Sequence, residues 1–252
     1  MKLRNFFVLK ILLTGISVCG ALYFGKWSNE PIVYDILVGV FSAMVLICLI
    51  DEIANRIDEK EAREKERKKI LRAHRIVELY LTYYIALFID LVTPSNRRSN
   101  ATNEIPEAFY ISDLKDLFRP SLRMPFSASV SCIRNFYVYD NHVNRCFQDM
   151  LLNIDFNYYT ELENIINEFV HESLFNNMEE VILCDENNSE NISNDIAERG
   201  QSYAENLAAN NSDPALRSNT LFAYVVLYNS LIKKRETIRR YQEYIDSNIK
   251  LH

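Results

Sequence analysis

Two apolar runs of equal length lie near the N-terminus, Phe6 to Phe24 and Ile32 to Ile50, and only Gly25 to Pro31 separates them. Each has about 19 residues, the length a helix needs to cross a hydrocarbon core about 30 Å thick. Backbone polar groups in lipid must be satisfied within their own segment, so both runs read as helices. A linker this short sets them antiparallel and side by side. Lys2 and Arg4 precede the first run, and Arg56, Lys60, Arg63 and Lys65 follow the second, whereas the linker carries only Lys26. That asymmetry puts both termini on the cytoplasmic side. The alternative for the first run is a cleaved signal peptide, which would leave the second as a lone anchor. A lipoprotein reading of Ile16, Ser17, Val18 and Cys19 fits less well, because Val18 stands where a small residue is usual.

Two ionisable residues fall inside these runs, Lys10 and Asp35. Each is near enough to a helix end to reach its own interface, and the antiparallel arrangement holds them about 17 Å apart. The sharper reading makes Asp35 part of a pore-mouth ring in an oligomer. Gly39 and Ala43 form a small-xxx-small pair suited to close helix approach, and Gly15 with Cys19 is a weaker match. Tyr23, Trp27 and Tyr34 group at the expected outer interface, where amphipathic aromatics are favoured.

Beyond the hairpin, no glycine or proline occurs between Gly39 and Pro94, so the second helix is expected to continue into the cytoplasm as a rod of about 80 Å. Asp58 to Lys69 is almost wholly charged, with Glu59 and Arg63, Glu61 and Lys65, and Glu64 and Lys68 at the favourable i, i+4 spacing. A solvated stalk is the simplest reading. Arg67, Lys68, Lys69, Arg72 and Arg75 also make a basic patch that anionic head groups or a partner would meet. Ile70, Val77, Tyr84 and Leu91 repeat every seven residues, with His74, Leu81 and Phe88 in the complementary positions. Leu79, Tyr80, Tyr83 and Ile85 make other faces apolar as well, which favours burial in a bundle, with His74 a packed or boundary residue.

The expected organisation is therefore a hairpin over 1–51, a stalk and first bundle helix over 52–93, and an all-α domain over 94–252. Pro94 to Pro106 reads as a loop. Helical patterning returns at Ile111 to Phe118, Val130 to Ile154, Tyr158 to Leu183, about Asp195 to Ala209, and Leu216 to Ile249, with Pro120, Pro125 and Pro214 as breaks and Cys184 to Ser193 as a loop. Five glycines and six prolines are too few for a turn-rich β-sandwich. A net charge of −6 argues against a general nucleic-acid binder. The five cysteines, odd in number and irregularly spaced, read as buried free thiols in a reducing compartment.

Motifs for chemistry are scarce. No glycine-rich phosphate loop, H-E-x-x-H, paired C-x-x-C or G-x-S-x-G occurs. Glu168 and His171 have the E-x-x-H spacing of helical metal ligands, but a di-metal bundle needs a second such pair. Arg134 and His142, flanked by Asn135 and Asn141, resemble the arginine-to-histidine motif of the HEPN ribonucleases at a longer separation. The simpler reading is a polar helix face. No catalytic residue, metal, cofactor or small-molecule substrate is assigned.

The hairpin, the charged stalk and the motif-poor helical domain together resemble the two-transmembrane effectors of bacterial antiphage systems, retrons included. The resemblance is one of architecture over the whole chain. It implies residence in the bacterial inner membrane and self-association there. It also implies a cytosolic protein or protein–nucleic acid partner that restrains the helical domain, and membrane breach on release. Asp35, Gly39, Ala43 and Gly15 would then be the pore or packing positions. The other expectation is a tethered scaffold or sensor that recruits a cytosolic partner through its aromatic helical surface.

Overall fold

The computed structural model describes residues 31–98, 104–124, 129–210 and 214–250, together with Gly15, Cys19 and Tyr23. Apart from those three positions, the expected first transmembrane helix and its linker as far as residue 30 lie outside the described residues, Lys10 and Trp27 among them. Regular structure among the described residues is helical throughout, with one isolated antiparallel bridge between Pro120 and Ser131. Two compact units divide the chain, Met1–Lys65 and Glu66–His252.

Helix α1, Pro31–Leu91, runs for 61 residues. Proline is tolerated at its first position because the N–H there would have no intrahelical partner. Pro94 biases Thr93 away from helical geometry, and the helix stops just before it. From Ile70 onward the expected heptad stripe is the core face: Ile70, His74, Val77, Leu81, Tyr84, Phe88 and Leu91 are all buried. Three helices cover it, α2 (Cys132–Asn153), α3 (Thr160–Phe175) and α7 (Leu221–Tyr244). Tyr84 meets Phe136 of α2 at 5.0 Å and Phe169 of α3 at 5.9 Å between ring centroids, and Phe147 of α2 meets Tyr241 of α7 at 5.0 Å. Offset and edge-on ring contacts of this kind add to the area they bury.

Elsewhere the pattern and the fold part company. The helix expected from Tyr158 to Leu183 is divided into α3 and α4 (Glu179–Cys184). Asn176 and Asn177 cause the break, because their amides bond locally: Asn176 donates to Glu172 at 2.7 Å, and Asn177 accepts from the Glu179 N–H at 2.8 Å. The loop expected from Cys184 to Ser193 is helical instead, a 3-10 turn Asp185–Asn188 leading into α5 (Ser189–Ala209). Burial of Ile192 and Ile196, four residues apart, draws a polar segment into the helix against its weak local preference. Ile111–Asp116 takes the tighter 3-10 form. The last expected helix is split into a short α6 (Pro214–Arg217), α7, and a closing π-helical turn Ile245–Lys250. At Gly200, α5 lies close upon the Ile111 side chain; a Cβ there would stand 3.3 Å from Ile111 Cγ2.

Two buried charges fix the connection after α1. Asp90 accepts from the Ser121 hydroxyl at 2.6 Å, the Leu122 and Arg123 N–H groups at 2.9 and 3.1 Å, and the Arg123 guanidinium at 3.2 Å. Arg98 donates to the carbonyls of Thr93, Asp116 and Pro120 at 2.9–3.0 Å. Irregular backbone is thus satisfied by side chains where no ladder or helix can do so.

Candidate functional site

Among the described residues, one helix is long and apolar enough to cross a membrane, Val38–Leu91, and its most apolar stretch is unburied within the chain. Leu46, Ile47, Leu49, Ile50, Ile53 and Ile57 are all exposed. Apolar surface left in water costs about 25 cal/mol per Å², so a run of this length calls for lipid or another helix as cover. Asp35 and Ala43 are exposed on the same helix, and nothing lies within 4 Å of a Cβ placed at Gly39 or at Gly15. Ser42 satisfies its hydroxyl internally, donating to the Val38 carbonyl at 2.8 Å.

Where α1 becomes a bundle helix, the C-terminal turn grips it. Arg67 donates to the Ile249 carbonyl at 2.8 Å, Lys250 reaches Glu78 at 3.4 Å, and Ile245 and Ile249 are fully buried. Glu66 accepts from the Tyr158 N–H at 3.2 Å. Arg67 is therefore committed to the fold, whereas Lys68, Lys69, Arg72 and Arg75 of the expected basic patch stand exposed.

Midway along this contact, His74 Nδ1 and the Tyr241 hydroxyl share a hydrogen bond of 3.1 Å. Burial holds the His74 imidazole below its ordinary 6.5; the nearby Glu78 opposes that shift and Lys250 adds to it. The unfolded chain takes up a proton near pH 6.5 that the folded chain refuses. Stability is therefore complete above that value and is lost as pH falls through it. Thermal melts of the full chain in nanodiscs, followed by circular dichroism, should show Tm declining from about pH 7.5 to about 5.5, and His74→Gln should flatten the decline. A wild-type Tm that holds across this range rules the effect out. Glu186, held below the usual carboxylate range by its bond from Arg134, loses its contribution only in stronger acid.

The residues weighed for chemistry are engaged elsewhere. Arg134 pairs with Glu186, while His142 stacks on Tyr80 with ring centroids 4.9 Å apart, so the two do not converge. Glu168 pairs with Arg240, and His171 stacks on Phe175. Sequence reasoning missed a different pair. Asp140 of α2 and Lys234 of α7 are both buried and meet at 2.6 Å, with Lys234 5.2 Å above the Phe169 ring. Tyr84 and Tyr137 lie in the same polar centre, and burial followed by the charge of Asp140 pushes both phenols up. The signal was present in the pattern: each of the two helices carries a charge of opposite sign on its apolar stripe, Asp140 among Phe136, Val143 and Phe147, and Lys234 among Leu231, Ile238 and Tyr241.

A second surface runs along the seam of α1 and α2. Tyr83 contacts Tyr139 at 5.4 Å and Tyr80 stacks on His142, so the two helices are joined by half-exposed rings. Beyond them opens a cleft of about 410 Å³ lined by Lys69, Arg72, Ile76, Cys146, Asp149 and Met150, among others. Ile76 is 59 % exposed, Leu79 58 % and Leu152 82 %.

Comparison with known proteins gives no assignment: no family model, no curated protein and no solved structure matches the chain.

Proposed function

We propose that the chain is a non-enzymatic membrane effector. Its N-terminal hairpin sits in the bacterial inner membrane with both termini cytoplasmic. When the helical domain is released or triggered, the hairpin assembles with those of other copies and makes the membrane permeable, as in abortive infection against phage. The observation that carries this reading is helix α1, which supplies both the exposed apolar stretch from Val38 to Ile57 and the buried stripe from Ile70 to Leu91. The exposure of Asp35 and the open space at Gly39 suit contacts between copies.

The test is membrane potential and dye uptake in bacteria expressing the wild type, Asp35→Asn and Gly39→Leu from a tight promoter with their operon neighbours. Rapid depolarisation by the wild type and its loss in both variants is the expected result. Intact membranes under basal and triggered conditions would sink the proposal. The seam of exposed rings on α1 and α2 favours a second reading, a tethered scaffold that recruits a cytosolic partner. That role would leave Asp35→Asn and Gly39→Leu fully active.

A further inference from the structure

We infer that the α1/α2 seam is a self-docking surface whose occupant is the same face of a second copy of this chain. The inference rests on the self-associating effector reading and names the part of the helical domain that takes part. The seam carries opposite charges on its two walls, Lys69 and Arg72 from α1 and Asp149 from α2, with Ile76 and Met150 between them. A uniformly acidic partner would meet Asp149, and a uniformly basic one would meet Lys69 and Arg72. A two-fold related copy satisfies both walls, because in an isologous contact each residue pairs with its counterpart's partner: Arg72 of one copy against Asp149 of the other, twice over.

The apolar surface supports the same occupant. Ile76, Leu79, Tyr83, Val138 and Leu152 all stand exposed along these two helices. Isolated exposed apolar side chains are ordinary, but Ile76 lines the cleft itself and Leu79 and Tyr83 follow it one and two turns further along α1, a grouping that marks an interaction site. The rings of Tyr80, Tyr83, Tyr139 and His142 already contact one another across the seam, so they present a preformed face that loses little side-chain freedom on docking. Restriction to a bilayer raises the local concentration of copies, so even a modest face would be occupied.

Cys146 lines this cleft and supplies the probe. The full chain is expressed in its native membrane with Cys146 as its one cysteine and treated with a short bismaleimide. A parallel chain keeps only Cys184, an exposed thiol on α4. The expected result is a covalent dimer through Cys146 and none through Cys184. Arg72→Glu should lower the dimer yield about tenfold, since like charges then meet at both ends of the contact. Adding Asp149→Lys should restore it. Equal yields from the two thiols, no dimer at all, an adduct to a different protein at Cys146, or a yield indifferent to Arg72→Glu would each overturn the inference. Depolarisation is read in the same strains, which separates the two ideas. Cross-linking with intact membranes keeps the face and removes the effector reading, and depolarisation without cross-linking does the reverse.

Discussion

Lys234→Met should destabilise the helical domain by about 3–5 kcal/mol, because it leaves the Asp140 carboxylate buried without its counter-charge. Cys132 is a built-in reporter of that loss. Its thiol is fully buried and pushed up to about 12 by burial, so a maleimide reaches a reactive thiolate there only when the bundle opens. In a chain with Cys132 as its one cysteine, held in nanodiscs, Lys234→Met should speed labelling by about 10²-fold or more, in line with a factor of ten per 1.4 kcal/mol. The double variant Lys234→Met, Asp140→Leu removes both charges and should return labelling to within about tenfold of wild type, or below it. Replacing a buried ion pair with apolar groups is often neutral or stabilising. If the single change leaves labelling untouched, the pair is not a structural linchpin, and its burial needs another explanation.

Asp90→Ala is expected to be nearly as severe, at about 3 kcal/mol. One carboxylate collects the Ser121 hydroxyl, two backbone N–H groups and the Arg123 guanidinium, and its removal leaves these donors to be satisfied elsewhere. Asp90→Asn keeps an acceptor oxygen and should cost about half as much. The effect should also be local. Cys132 Sγ lies 3.6 Å from the Leu87 carbonyl, one turn before Asp90, so its labelling should accelerate more than hydrogen exchange in α5 does. Equal acceleration in both places would mean that Asp90 supports the whole bundle and not this connection alone.

How far the sequence could be read depended on where the deciding interactions lie. The α1 stripe from Ile70 to Leu91 was legible because its seven-residue repeat is local and every member is buried as expected. The helix expected from Val130 to Ile154 was legible to within two residues at either end, observed as Cys132–Asn153. The break at Asn176 and Asn177 was not, since asparagine is tolerated in helices and only the local bonds to Glu172 and Glu179 turn it into a stop. The helix beginning at Ser189 was hidden because its polar start is held by tertiary burial of Ile192 and Ile196. The α1/α2 seam was not legible: Leu79 and Tyr83 read as faces to be buried in the bundle but stand exposed, and the opposed charges of the cleft were hidden because Arg72 and Asp149 are far apart in the chain and only packing brings them to one cleft.

The C-terminal grip on α1 also bears on how the protein is made. Arg67 finds its carbonyl 182 residues later and His74 its phenol 167 residues later. A ribosome delivers the apolar helix well before the residues of α7 and the closing turn that meet its inner face. Until then, Arg67 has no Ile249 carbonyl and His74 no Tyr241 phenol to meet, and closing so long a loop is slow compared with forming the helix itself. A nascent chain held at that stage offers bare core surface, which is the state in which a holding chaperone or a stray neighbour would find it.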